Sequence, residues 1–484
     1  MGIRSFIRGI KEEKRIAKEK EEIKEKLLGE DRIRLDLLKK AGIIDNTHIH
    51  NIINDDYDLI LSECLDGDVY IFTSEEGEAS VDLNLYVANI FVNSPKIDAL
   101  MITEDVDYYR TYYKPEFAPE SILEYFYPGN IWALRGMALK KASETYKEYI
   151  SSLDNKDKFI FITAAVITDG NSESIIRDDM SLYHLPLKAA KNGCPKVFGG
   201  KEYKNIIRPL IDNTDRWIME DKFNPLVSVV IPSKDNPDML NECIKSIKND
   251  NYKDVEIIVV DNGSSDENRG KITALSTSIG FKYIYEKKDF NYSYMNNVGI
   301  KASKGELILL LNDDVTLVGN ALKEMASMAM NSYIGAVGCR LLYPDSDRVQ
   351  HIGVVNEEGG AYHKCLGARL QDIPYGSAEY NQNVMAVTGA CLMARRAVLD
   401  AAGLLDEKLP VAYNDVDLCF KIYEKGYRNI VLNDIYMYHH ESVTRGTDAM
   451  DEAKLERLAK EREYLQSKHQ KIGFKDPYYR RDNR

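Results

Sequence analysis

Short apolar runs alternate with helical patterns along the second half of the chain. Apolar runs at 227–232, 255–260 and 307–311 predict buried strands, and apolar residues at helical spacing lie between them at 239–248 and 295–301. Strands that alternate with helices favour an α/β fold with a parallel, doubly wound sheet. In such sheets, ligands bind beyond the carboxyl ends of the strands. The pattern therefore predicts a binding site at the edge where these three runs end.

The first 45 residues are set apart by their charge. Lys, Glu and Arg dominate residues 11–40, and the few apolar positions fall at roughly helical spacing. This pattern predicts a charged helical arm over 1–45. Because both signs of charge are mixed, a solvated helix or coiled-coil arm is favoured over a basic amphipathic contact with a membrane or a partner.

Residues 46–220 mix short apolar strands with helical patterns. Strands are expected at 68–72 and 99–102, and a helix over 208–223 leads into a linker at 224–225. The segment is also rich in tyrosine, which packing in the core and on the surface explains most simply. It therefore predicts a further α/β domain ahead of the linker.

An internal similarity links the two halves of the chain. Residues 67–76 can be laid over residues 305–314, and both segments contain a strand that ends in acidic residues. Each copy continues into a predicted helix and then a short strand, at 83–93 and 97–102 in the first copy and at 321–331 and 334–338 in the second. A true duplication and a chance similarity of pattern explain this equally well. If the duplication is real, the first copy lacks the two strands that precede the second copy and is expected to be inactive.

Composition and charge narrow the classes of function. The chain of 484 residues has 44% hydrophobic and 29% charged residues, which is typical of a globular protein of several domains. The net charge of −13 argues against a broad nucleic-acid surface. Seven scattered cysteines without a CxxC pair favour a reduced, cytoplasmic protein. No apolar stretch approaches the ~20 residues of a membrane helix, and the N-terminal residues lack the pattern of a signal peptide.

Two adjacent carboxylates follow the third of the predicted strands. Asn312, Asp313 and Asp314 come directly after the apolar run at 307–311. An uncompensated charge at the end of a buried strand is costly, because it loses its hydration. A divalent cation that holds a phosphorylated ligand would compensate the two carboxylates. The other interpretation is an ordinary solvated turn, since Asn and Asp are common turn residues.

Two loops carry further polar or small residues. Asp261, Asn262 and Gly263 follow the second strand, where the carboxylate can face an N–H of a ligand ring and the glycine lets the backbone approach closely. The same residues suit a plain turn between a strand and a helix. A tight turn at Thr388 and Gly389 can form the floor of a sugar pocket. Neither loop identifies a ligand by itself.

Candidates for proton transfer and for metal or phosphate binding lie towards the C-terminus. Asp415 opens a helical pattern, where it can act either as a general base or as a charge that favours the helix dipole. His439 and His440 follow the apolar run at 430–432, and Arg445 lies close behind them. Histidine is a common metal ligand, and arginine can bind phosphate oxygens. The alternative is a structural histidine, and the sequence leaves open which of the two histidines would face a metal.

Seven ordered motifs in the second half resemble one protein family. Together they make residues 225–484 similar to family 2 glycosyltransferases of the GT-A type, close to the bacterial rhamnosyltransferase-like enzymes of cell-surface polysaccharide synthesis. The motifs lie at 229–235, 260–266, 290–293, 311–315, 387–391, 414–418 and 439–442, and the tail at 476–479 also resembles the family's ending. Residues 60–140 resemble the middle of the first of two tandem domains in related proteins.

The resemblance implies an inverting, metal-dependent transfer of a sugar from a nucleotide-diphospho-sugar to a glycan or lipid-linked glycan acceptor. Asp415 would be the base, and Asp314, with His439 and Asn312, would hold Mn²⁺ or Mg²⁺ on the diphosphate. The cation would stabilise the departing nucleoside diphosphate. Contacts to the donor would come from Pro232, Ser233, Asp235, Asp261, Asn262, Gly263, Asn297, Asp313, Thr388, Gly389 and Arg445.

Three departures from the family pattern fall within these motifs. Asn312 replaces the first Asp of the metal motif, which weakens metal affinity in principle. Asn414 stands where a Glu usually precedes the base, and Lys234 and Asp235 stand where Tyr and Asn are usual. None of these changes removes the expected base or the second metal carboxylate.

The sequence therefore predicts a chain of three parts. A charged helical arm occupies 1–45, a truncated and inactive GT-A-like α/β domain with a structural or acceptor-guiding role occupies 46–220, and an active GT-A domain with a helical tail occupies 225–484. The expected location is the cytoplasm, with no nucleic-acid partner. A peripheral contact at the inner face of the membrane and a homo-oligomer both stay open.

Two other classes of function compete with sugar transfer. The chain could be a non-catalytic nucleotide- or glycan-binding scaffold subunit of a polysaccharide synthesis complex, but the intact acidic residues at 261, 314 and 415 argue against it. A dinucleotide-binding oxidoreductase is the weaker alternative, because no GxGxxG motif follows the first strand at 227–232.

Overall fold

The computed structural model of the chain describes eight stretches of residues. They are 49–53, 56–106, 110–186, 198–213, 224–358, 360–373, 378–440 and 452–480. The predicted arm at 1–45, the end of the predicted helix at 208–223 and the candidate phosphate ligand Arg445 lie outside them. The chain divides into two compact units, 1–211 with 478–484 and 212–477. No helix in the described stretches combines the length and the apolar character needed to cross a membrane.

The first unit is built around a mixed sheet. Its strand order is β1-β2-β7-β4-β8-β3, with β5 beside β4. In chain order, the elements up to the boundary with the second unit are β1 (Ile49–Ile52), α1 (Tyr57–Glu63), β2 (Val69–Thr73), β3 (Glu78–Ala79), α2 (Leu83–Asn93), β4 (Ala99–Val106), β5 (Arg110–Tyr112), α3 (Pro119–Ile122), β6 (Tyr125–Phe126), β7 (Ile131–Arg135), α4 (Gly136–Thr145), α5 (Lys147–Ile150), α6 (Asn155–Asp169), β8 (Ile175–Leu185), β9 (Phe198–Gly199), α7 (Gly200–Ile206) and α8 (Arg208–Asn213).

The second unit is built around a larger sheet. Its strand order is β12-β11-β10-β13-β20-β15-β21-β14, with β16 beside β15 and β19 beside β21. The elements are β10 (Val227–Ser233), α9 (Pro237–Asn249), β11 (Val255–Asp261), α10 (Asp266–Ile279), β12 (Lys282–Tyr285), α11 (Tyr292–Ala302), β13 (Leu307–Leu311), β14 (Val315–Leu317), α12 (Ala321–Ala329), β15 (Ile334–Leu342), β16 (Val349–His351), β17 (Val354–Glu357), β18 (Gly360–His363), β19 (Gln382–Val384), β20 (Cys391–Arg395), α13 (Arg396–Ala402), α14 (Asn414–Glu424), β21 (Arg428–His439) and α15 (Glu452–Lys468).

The large sheet is parallel only in part. Strands β12, β11, β10 and β13 run parallel, as the alternation of strands and helices predicted. β20 is antiparallel to β13, with Leu311 opposite Cys391, because the chain enters β20 from the edge at which β13 ends. β15 is again antiparallel to β20, and β21 is parallel to β15. The strands from which a parallel sheet was predicted are therefore parallel, and the strands after residue 311, for which no direction was predicted, add antiparallel pairs.

Close packing fixes the ends of the central strands. All five residues of β13, Leu307–Leu311, are buried, as expected for a strand that is covered on both faces. Helix α11 packs against β10 and β11 at short distance, because Gly299 has no side chain. A Cβ at Gly299 would lie 2.2 Å from Cγ1 of Val230. The strand ends that carry the predicted site residues therefore belong to a tightly packed core.

The two units share a strand topology. In the order β1-β2-β7-β4-β8-β3, each pair of neighbours has the same relative direction as in β10-β13-β20-β15-β21-β14. The agreement over six strands favours duplication over a chance similarity of pattern. The expectation that the first copy lacks both upstream strands was wrong in one respect, because β1 takes the place of β10. Within the described stretches, β11 and β12 have no counterpart in the first unit.

Candidate active site

Strands that run in one direction bring distant parts of the chain to a single edge of the large sheet. β10 and β11 end there at Ser233 and Asp261, which lie side by side. β13 ends beside them at Leu311. β21 runs in the same direction as β13 and ends at His439. Four separate sequence motifs therefore meet at this edge.

The side chain of Asp261 is buried and held by three donors. Its Oδ1 accepts hydrogen bonds from the N–H of Ser264 at 2.8 Å and from the Ser264 hydroxyl at 2.7 Å. Its Oδ2 accepts a hydrogen bond from the hydroxyl of Tyr283 at 2.5 Å. Burial raises the pKa of Tyr283, and the hydrogen bond to Asp261 raises it further, so the phenol stays protonated. The carboxylate of Asp261 is therefore fixed inside the protein at the binding edge, and it is 0% exposed.

Tyr283→Phe is expected to destabilise the second unit by about 1–3 kcal/mol, because it leaves a buried carboxylate oxygen of Asp261 without its donor. Hydrogen exchange of peptides from β10 and β11, followed in increasing urea, measures this change. Tyr285→Phe is the matched control two residues along the same strand, since the Tyr285 hydroxyl makes only a 3.3 Å contact with the carbonyl oxygen of Ser264. Equal losses in the two variants would contradict the role given to Tyr283.

The loop after β10 is fastened to the start of helix α10. Asp235 has a positive φ of 51°, and its Oδ1 accepts hydrogen bonds from Nδ2 of Asn268 and from the N–H and hydroxyl of Ser265. These hydrogen bonds, that from Asn268 first, lower the pKa of Asp235. Pro232 lies one residue before the end of β10. The carboxylate of Asp235 thus holds the shape of the loop at the binding edge.

Asn262 and Gly263 form the turn beside this loop. The N–H of Asn262 donates to the carbonyl oxygen of Ser233 at 2.9 Å, and its Nδ2 donates to the carbonyl oxygen of Lys288 at 2.7 Å. Gly263 has a φ of 76°, a conformation that favours glycine. A Cβ at Gly263 would lie 3.2 Å from Cγ of Lys287. The turn is therefore built by its backbone, and the amide of Asn262 serves to anchor it.

The acidic turn after β13, which we call the acidic corner (Asn312, Asp313 and Asp314), contacts two neighbours. The hydroxyl of Ser233 donates to Oδ2 of Asp313 at 2.6 Å. Oδ1 of Asp314 lies 3.1 Å from Nε2 of His439, and Nδ2 of Asn312 lies 3.4 Å from the same nitrogen. The structure thus brings together the three residues predicted to hold a metal, and it separates Asp313 from them.

The structure also distinguishes the two adjacent histidines. Successive side chains of a strand point to opposite faces, so only one of them can reach the acidic corner. That residue is His439, whose Nδ1 lies 2.6 Å from Oε1 of Gln350. Nε2 of His440 lies 3.3 Å from Oγ1 of Thr316 instead. His439 is therefore the histidine that can act at the corner.

Asp415 lies in the first turn of helix α14, with its carboxylate held by two backbone donors. The N–H of Gly389 donates to Oδ2 at 2.7 Å, and the N–H of Val416 donates to Oδ1 at 2.8 Å. Tyr413, just before the helix, has a φ of 56°, which is uncommon for a residue with a side chain. The carboxylate is half-buried and oriented, which suits a group that accepts a proton.

The turn at Thr388 and Gly389 joins this carboxylate to the acidic corner. The N–H of Asn312 donates to the carbonyl oxygen of Ala390 at 3.1 Å, one residue beyond Gly389. The N–H of Thr388 donates to Nε2 of His351 at 3.4 Å. The predicted floor of the pocket therefore connects Asp415 with Asn312 through the backbone.

A buried ionic network holds helix α14 to the C-terminal segment. Asp417, which is 0% exposed, accepts hydrogen bonds from Nε2 of His469 at 3.0 Å and from Nζ of Lys468 at 2.7 Å. Nζ of Lys421 lies 3.0 Å from its other oxygen. Burial alone raises the pKa of Asp417, but the hydrogen bond from His469 and the charges of the two lysines outweigh it and lower the pKa to about 2. Asp417, two residues after Asp415, is thus ionised and holds the start of helix α14 to the C-terminal segment.

A comparison with protein families now identifies this unit. Residues 228–403 match the family model described as glycosyl transferase family 2. The second unit contains a family 2 glycosyltransferase domain. This confirms the family that the ordered motifs resembled. The match covers β10 to α13, and the polypeptide continues directly from it into the loop and helix that carry Asp415.

Two relatives match part of this chain and are much longer than it. An uncharacterized protein y4gI of Sinorhizobium fredii is 38% identical over 272 residues, which are 54% of this chain and 29% of that protein. The O-antigen biosynthesis protein RfbC of Myxococcus xanthus is 34% identical over 236 residues, which are 47% of this chain and 18% of that protein. The chain therefore spans less than a third of the length of either relative.

Two solved structures show a weaker likeness. The mannosyltransferase PcManGT from Pyrobaculum calidifontis, in complex with GDP-Man and Mn²⁺, matches with 18% identity and a TM-score of 0.40, over 55% of this chain and 70% of that one. GalNAc-T7 with UDP, GalNAc and Mn²⁺ matches with 13% identity and a TM-score of 0.42, over 55% and 56% of the two chains. The family assignment rests on the match to the family model and on the motifs.

Asn297 was predicted to contact the nucleotide-sugar donor, but its side chain contacts a loop instead. Its Nδ2 donates to the carbonyl oxygen of Leu405 at 3.0 Å and to Oε1 of Glu407 at 3.1 Å. Its Oδ1 accepts from the N–H of Leu405 at 3.1 Å. Helix α11 turns this side chain towards the loop before α14, so the structure does not bring it to the binding edge.

Four residues of the second unit support the site and were not predicted to do so. Gln350 is a buried polar residue within a strand, and such a residue is an informative exception that the sequence could have indicated. Tyr283 lies in a strand and is half-buried, so its sequence pattern gives no comparable signal. Asp417 and His469 meet only through the tertiary fold, and no sequence pattern links the two positions.

The donor atoms at the acidic corner suit a metal that a ligand shares. No group of three His, Cys, Asp or Glu side chains within the described stretches is arranged to hold a metal ion. Asp314 and His439 offer one carboxylate oxygen and one imidazole nitrogen, and Asn312 offers an amide. Mg²⁺ is usually bound by one or two carboxylates together with substrate phosphates. The residues therefore fit a divalent cation that a diphosphate helps to hold, and they do not form a closed protein site.

Proposed function

We propose that the family 2 domain transfers a sugar from a nucleotide-diphospho-sugar to a hydroxyl of a growing cell-surface glycan. One observation carries the proposal: the end of β11 at Asp261, the acidic corner and Asp415 are joined by a chain of contacts at one edge of the sheet. Ser233, beside Asp261, joins this strand end to the corner through Asp313, and the turn at 388–389 joins the corner to Asp415. Sugar transfer needs three adjacent binding positions, for the nucleotide, for the leaving diphosphate and for the acceptor, and these three groups of residues would supply them.

The proposed reaction is a single displacement with inversion at the anomeric carbon. Asp415 takes the proton of the acceptor hydroxyl as the acceptor oxygen bonds to that carbon. The bond between the carbon and the diphosphate oxygen breaks, and its electron pair leaves with the nucleoside diphosphate. Because attack and departure occur on opposite faces in one step, the configuration inverts. The N–H groups of Gly389 and Val416 keep the carboxylate turned for this transfer.

A divalent cation, Mn²⁺ or Mg²⁺, is proposed to bind at the acidic corner. Asp314 and His439 would hold it, with Asn312 as a weaker third contact. When bound, the cation supplies Lewis-acid stabilisation of the leaving diphosphate. The convergence of Oδ1 of Asp314 and Nε2 of His439, 3.1 Å apart, supports this assignment.

The names of two relatives support the proposal that the product is a cell-surface glycan. One is the O-antigen biosynthesis protein RfbC of Myxococcus xanthus. The other is the GalNAc(5)-diNAcBac-PP-undecaprenol beta-1,3-glucosyltransferase of Campylobacter jejuni, which is 32% identical over 119 residues, 24% of this chain and 38% of that protein. We infer that the acceptor is a glycan or a lipid-linked glycan of the O-antigen, rhamnan or capsule type.

The first unit is proposed to be a degenerate copy with a structural or acceptor-guiding role. Helix α6 stands before β8 as α14 stands before β21, and the two helices begin with Asn155–Lys156 and Asn414–Asp415. By position in its helix Lys156 corresponds to Asp415, and the carboxylates on either side of it, Asp154 and Asp157, belong to the N-terminal cap and first turn of α6. The hydroxyl of Tyr183 lies 2.9 Å from Oγ of Ser74, at the strand end that corresponds to the acidic corner. These side chains support an inactive first copy.

A thermal-shift screen with nucleotide-sugars tests the donor site. In the presence of Mn²⁺, the nucleotide-sugar of the true donor should raise the melting temperature, because a ligand that binds only the folded state stabilises it by about 2.7 kcal/mol at 100 times its dissociation constant. EDTA should remove most of this shift. Asp314→Asn should show only the shift that remains in EDTA, because an amide replaces the carboxylate that holds the cation.

The same samples are assayed for transfer and for hydrolysis of each nucleotide-sugar. Asp238→Asn, at an exposed position of helix α9, is the matched control and should behave as the wild type. Binding that is independent of metal, with no turnover of any donor, would contradict sugar transfer. That result would favour the alternative of a non-catalytic scaffold subunit.

A further inference from the structure

The buried side-chain amide of Gln350 contacts His439 at Nδ1, the ring nitrogen that does not face the acidic corner. Gln350 lies in β16 and is 3% exposed, and its Oε1 is 2.6 Å from Nδ1 of His439. We propose that Gln350 is a positioning residue that fixes which ring nitrogen of His439 faces the cation and thereby sets the affinity for it. The proposal rests on the cation of the proposed function and goes beyond it, since it assigns a role to a residue outside the family motifs.

Hydrogen-bond chemistry determines the form of the ring. The amide oxygen of Gln350 faces Nδ1 of His439, and because an amide oxygen only accepts hydrogen bonds, this orientation favours the ring form that carries its hydrogen on Nδ1. In the neutral imidazole the lone pair then lies on Nε2. Nε2 is the atom that faces the acidic corner, 3.1 Å from Oδ1 of Asp314 and 3.4 Å from Nδ2 of Asn312. A metal binds a lone pair, so the opposite tautomer would present an N–H to the cation and repel it.

The strand that carries Gln350 is held by strand pairing and by contacts of the next residue, His351, which also accepts a hydrogen bond from the N–H of Thr388. β16 pairs with β15, and Leu341 lies opposite His351 in that pairing. Nδ1 of His351 lies 3.1 Å from Nδ1 of His363, in the hairpin that follows. Gln350 therefore approaches His439 from a fixed strand. Partners of this kind behind metal-binding histidines orient the ring and raise its basicity.

Titration of Mn²⁺ followed by the electron paramagnetic resonance signal of the free ion tests the proposal, with the metal alone as the probe. Gln350→Leu should weaken Mn²⁺ binding by about 10–100-fold, because both tautomers of His439 become available and its support is lost. Gln350→Glu should retain the wild-type affinity or exceed it, because a carboxylate accepts the same hydrogen bond. Gln382→Leu removes a comparably buried glutamine in β19, whose Oε1 accepts from Lys364, and should leave Mn²⁺ affinity unchanged.

A second readout separates the tautomer from general stability. With diamagnetic Mg²⁺ added, the nitrogen chemical shifts of ¹⁵N-labelled histidine should show His439 of the wild type and of Gln350→Glu protonated at Nδ1. In Gln350→Leu the same shifts should report a mixture of tautomers. A purely structural role for Gln350 would change the melting temperature without changing these shifts.

The outcomes distinguish this inference from the proposed function. If the wild type binds Mn²⁺ and Gln350→Leu binds it equally well, the role of Gln350 is wrong and the cation site stands. If the wild type binds Mn²⁺ only in the presence of the donor, the EDTA-sensitive part of the donor's thermal shift replaces the titration as the measure of metal binding. If that part is also absent in the wild type, the cation assignment itself is wrong and this inference falls with it. If Gln350→Leu does not fold, Gln350→Glu decides, because a tenfold weaker affinity in that variant would overturn the role of the acceptor.

Discussion

Asp415→Asn is expected to lower the rate of sugar transfer by roughly 10²–10⁴-fold, the range that a positioned general base contributes. The amide oxygen can still accept the hydrogen bond from the N–H of Gly389, which keeps the turn at 388–389 attached to helix α14, whereas the amide nitrogen cannot accept the hydrogen bond from the N–H of Val416. The amide cannot take up the proton of the acceptor hydroxyl at neutral pH. The measurement is kcat for transfer at saturating donor and acceptor.

Donor binding and a matched variant control this experiment. The thermal shift with the donor should be unchanged in Asp415→Asn, because Asp415 contacts the acceptor side of the site. Asp400→Asn, at an exposed position of helix α13, should keep the full kcat. Because Lys156 stands at the corresponding helix start in the first unit, no second base is expected to compensate for the loss. Retention of most of the rate would mean that the proton goes elsewhere or that the first unit is active.

Asp417→Asn is expected to reduce the free energy of unfolding of the second unit by about 3 kcal/mol, the lower end of the loss seen when one partner of a buried ion pair is removed. Asp417 is 0% exposed and is shared by His469, Lys468 and Lys421. Its replacement leaves these three cationic or polar groups facing a neutral amide. We place the loss at the lower end because the lysines reach solvent. Hydrogen exchange of peptides from α14 and α15 in increasing urea measures it.

The pH dependence of this loss follows from the lowered pKa of Asp417. The ordinary pKa of Asp is about 3.9, and a carboxyl lowered to about 2 stabilises the folded state by roughly 2.6 kcal/mol while it is ionised in both states. This stabilisation is complete well above the pKa of the unfolded chain and is lost as the pH falls through the pKa of the folded state. The difference between the wild type and Asp417→Asn should therefore be constant from pH 7 to about 5, shrink between about 4 and 2, and vanish below that.

A surface ion pair on the same C-terminal helix provides the control. Glu456 and Lys460 lie 2.7 Å apart, and their side chains are 66% and 71% exposed. Glu456→Gln should change the stability by well under 1 kcal/mol, because solvent screens an exposed pair. A loss in Asp417→Asn no larger than that in Glu456→Gln would show that the network around Asp417 does not hold α15 to α14.

Much of the central sheet could be predicted because its signals are local. Strands β10 and β11 end at Ser233 and Asp261, and Asn312 directly follows β13, so the sequence shows both each apolar run and the polar residue at its end. The direction of β20 was not predictable in the same way. A run of five apolar residues is expected in a parallel strand and in an antiparallel strand alike. The direction of β20 is therefore determined only by its pairing with β13.

The residues of the candidate site differ in the same way: local sequence predicts some of them, and the position of others depends on the tertiary structure. Residue type and motif order pointed to Asp314 and Asp415, whose surroundings are set by their own turn and helix start. Asn297 has the residue type of a ligand contact, but its side chain turns towards Leu405. The sequence shows which group a residue carries, and it does not show where the packing of its helix directs that group.

The sequence by itself determined the family, the strand ends and the chemical groups that they carry, because these are properties of short segments and of their order along the chain. Only the tertiary structure decided that His439 rather than His440 meets Asp314, that Gln350 stands behind that ring, and that His469 anchors Asp417. Each of these pairs is separated by 52 or more residues in the chain. Such contacts depend on strand pairing and on the face that each side chain takes in the folded sheet, which local pattern does not specify.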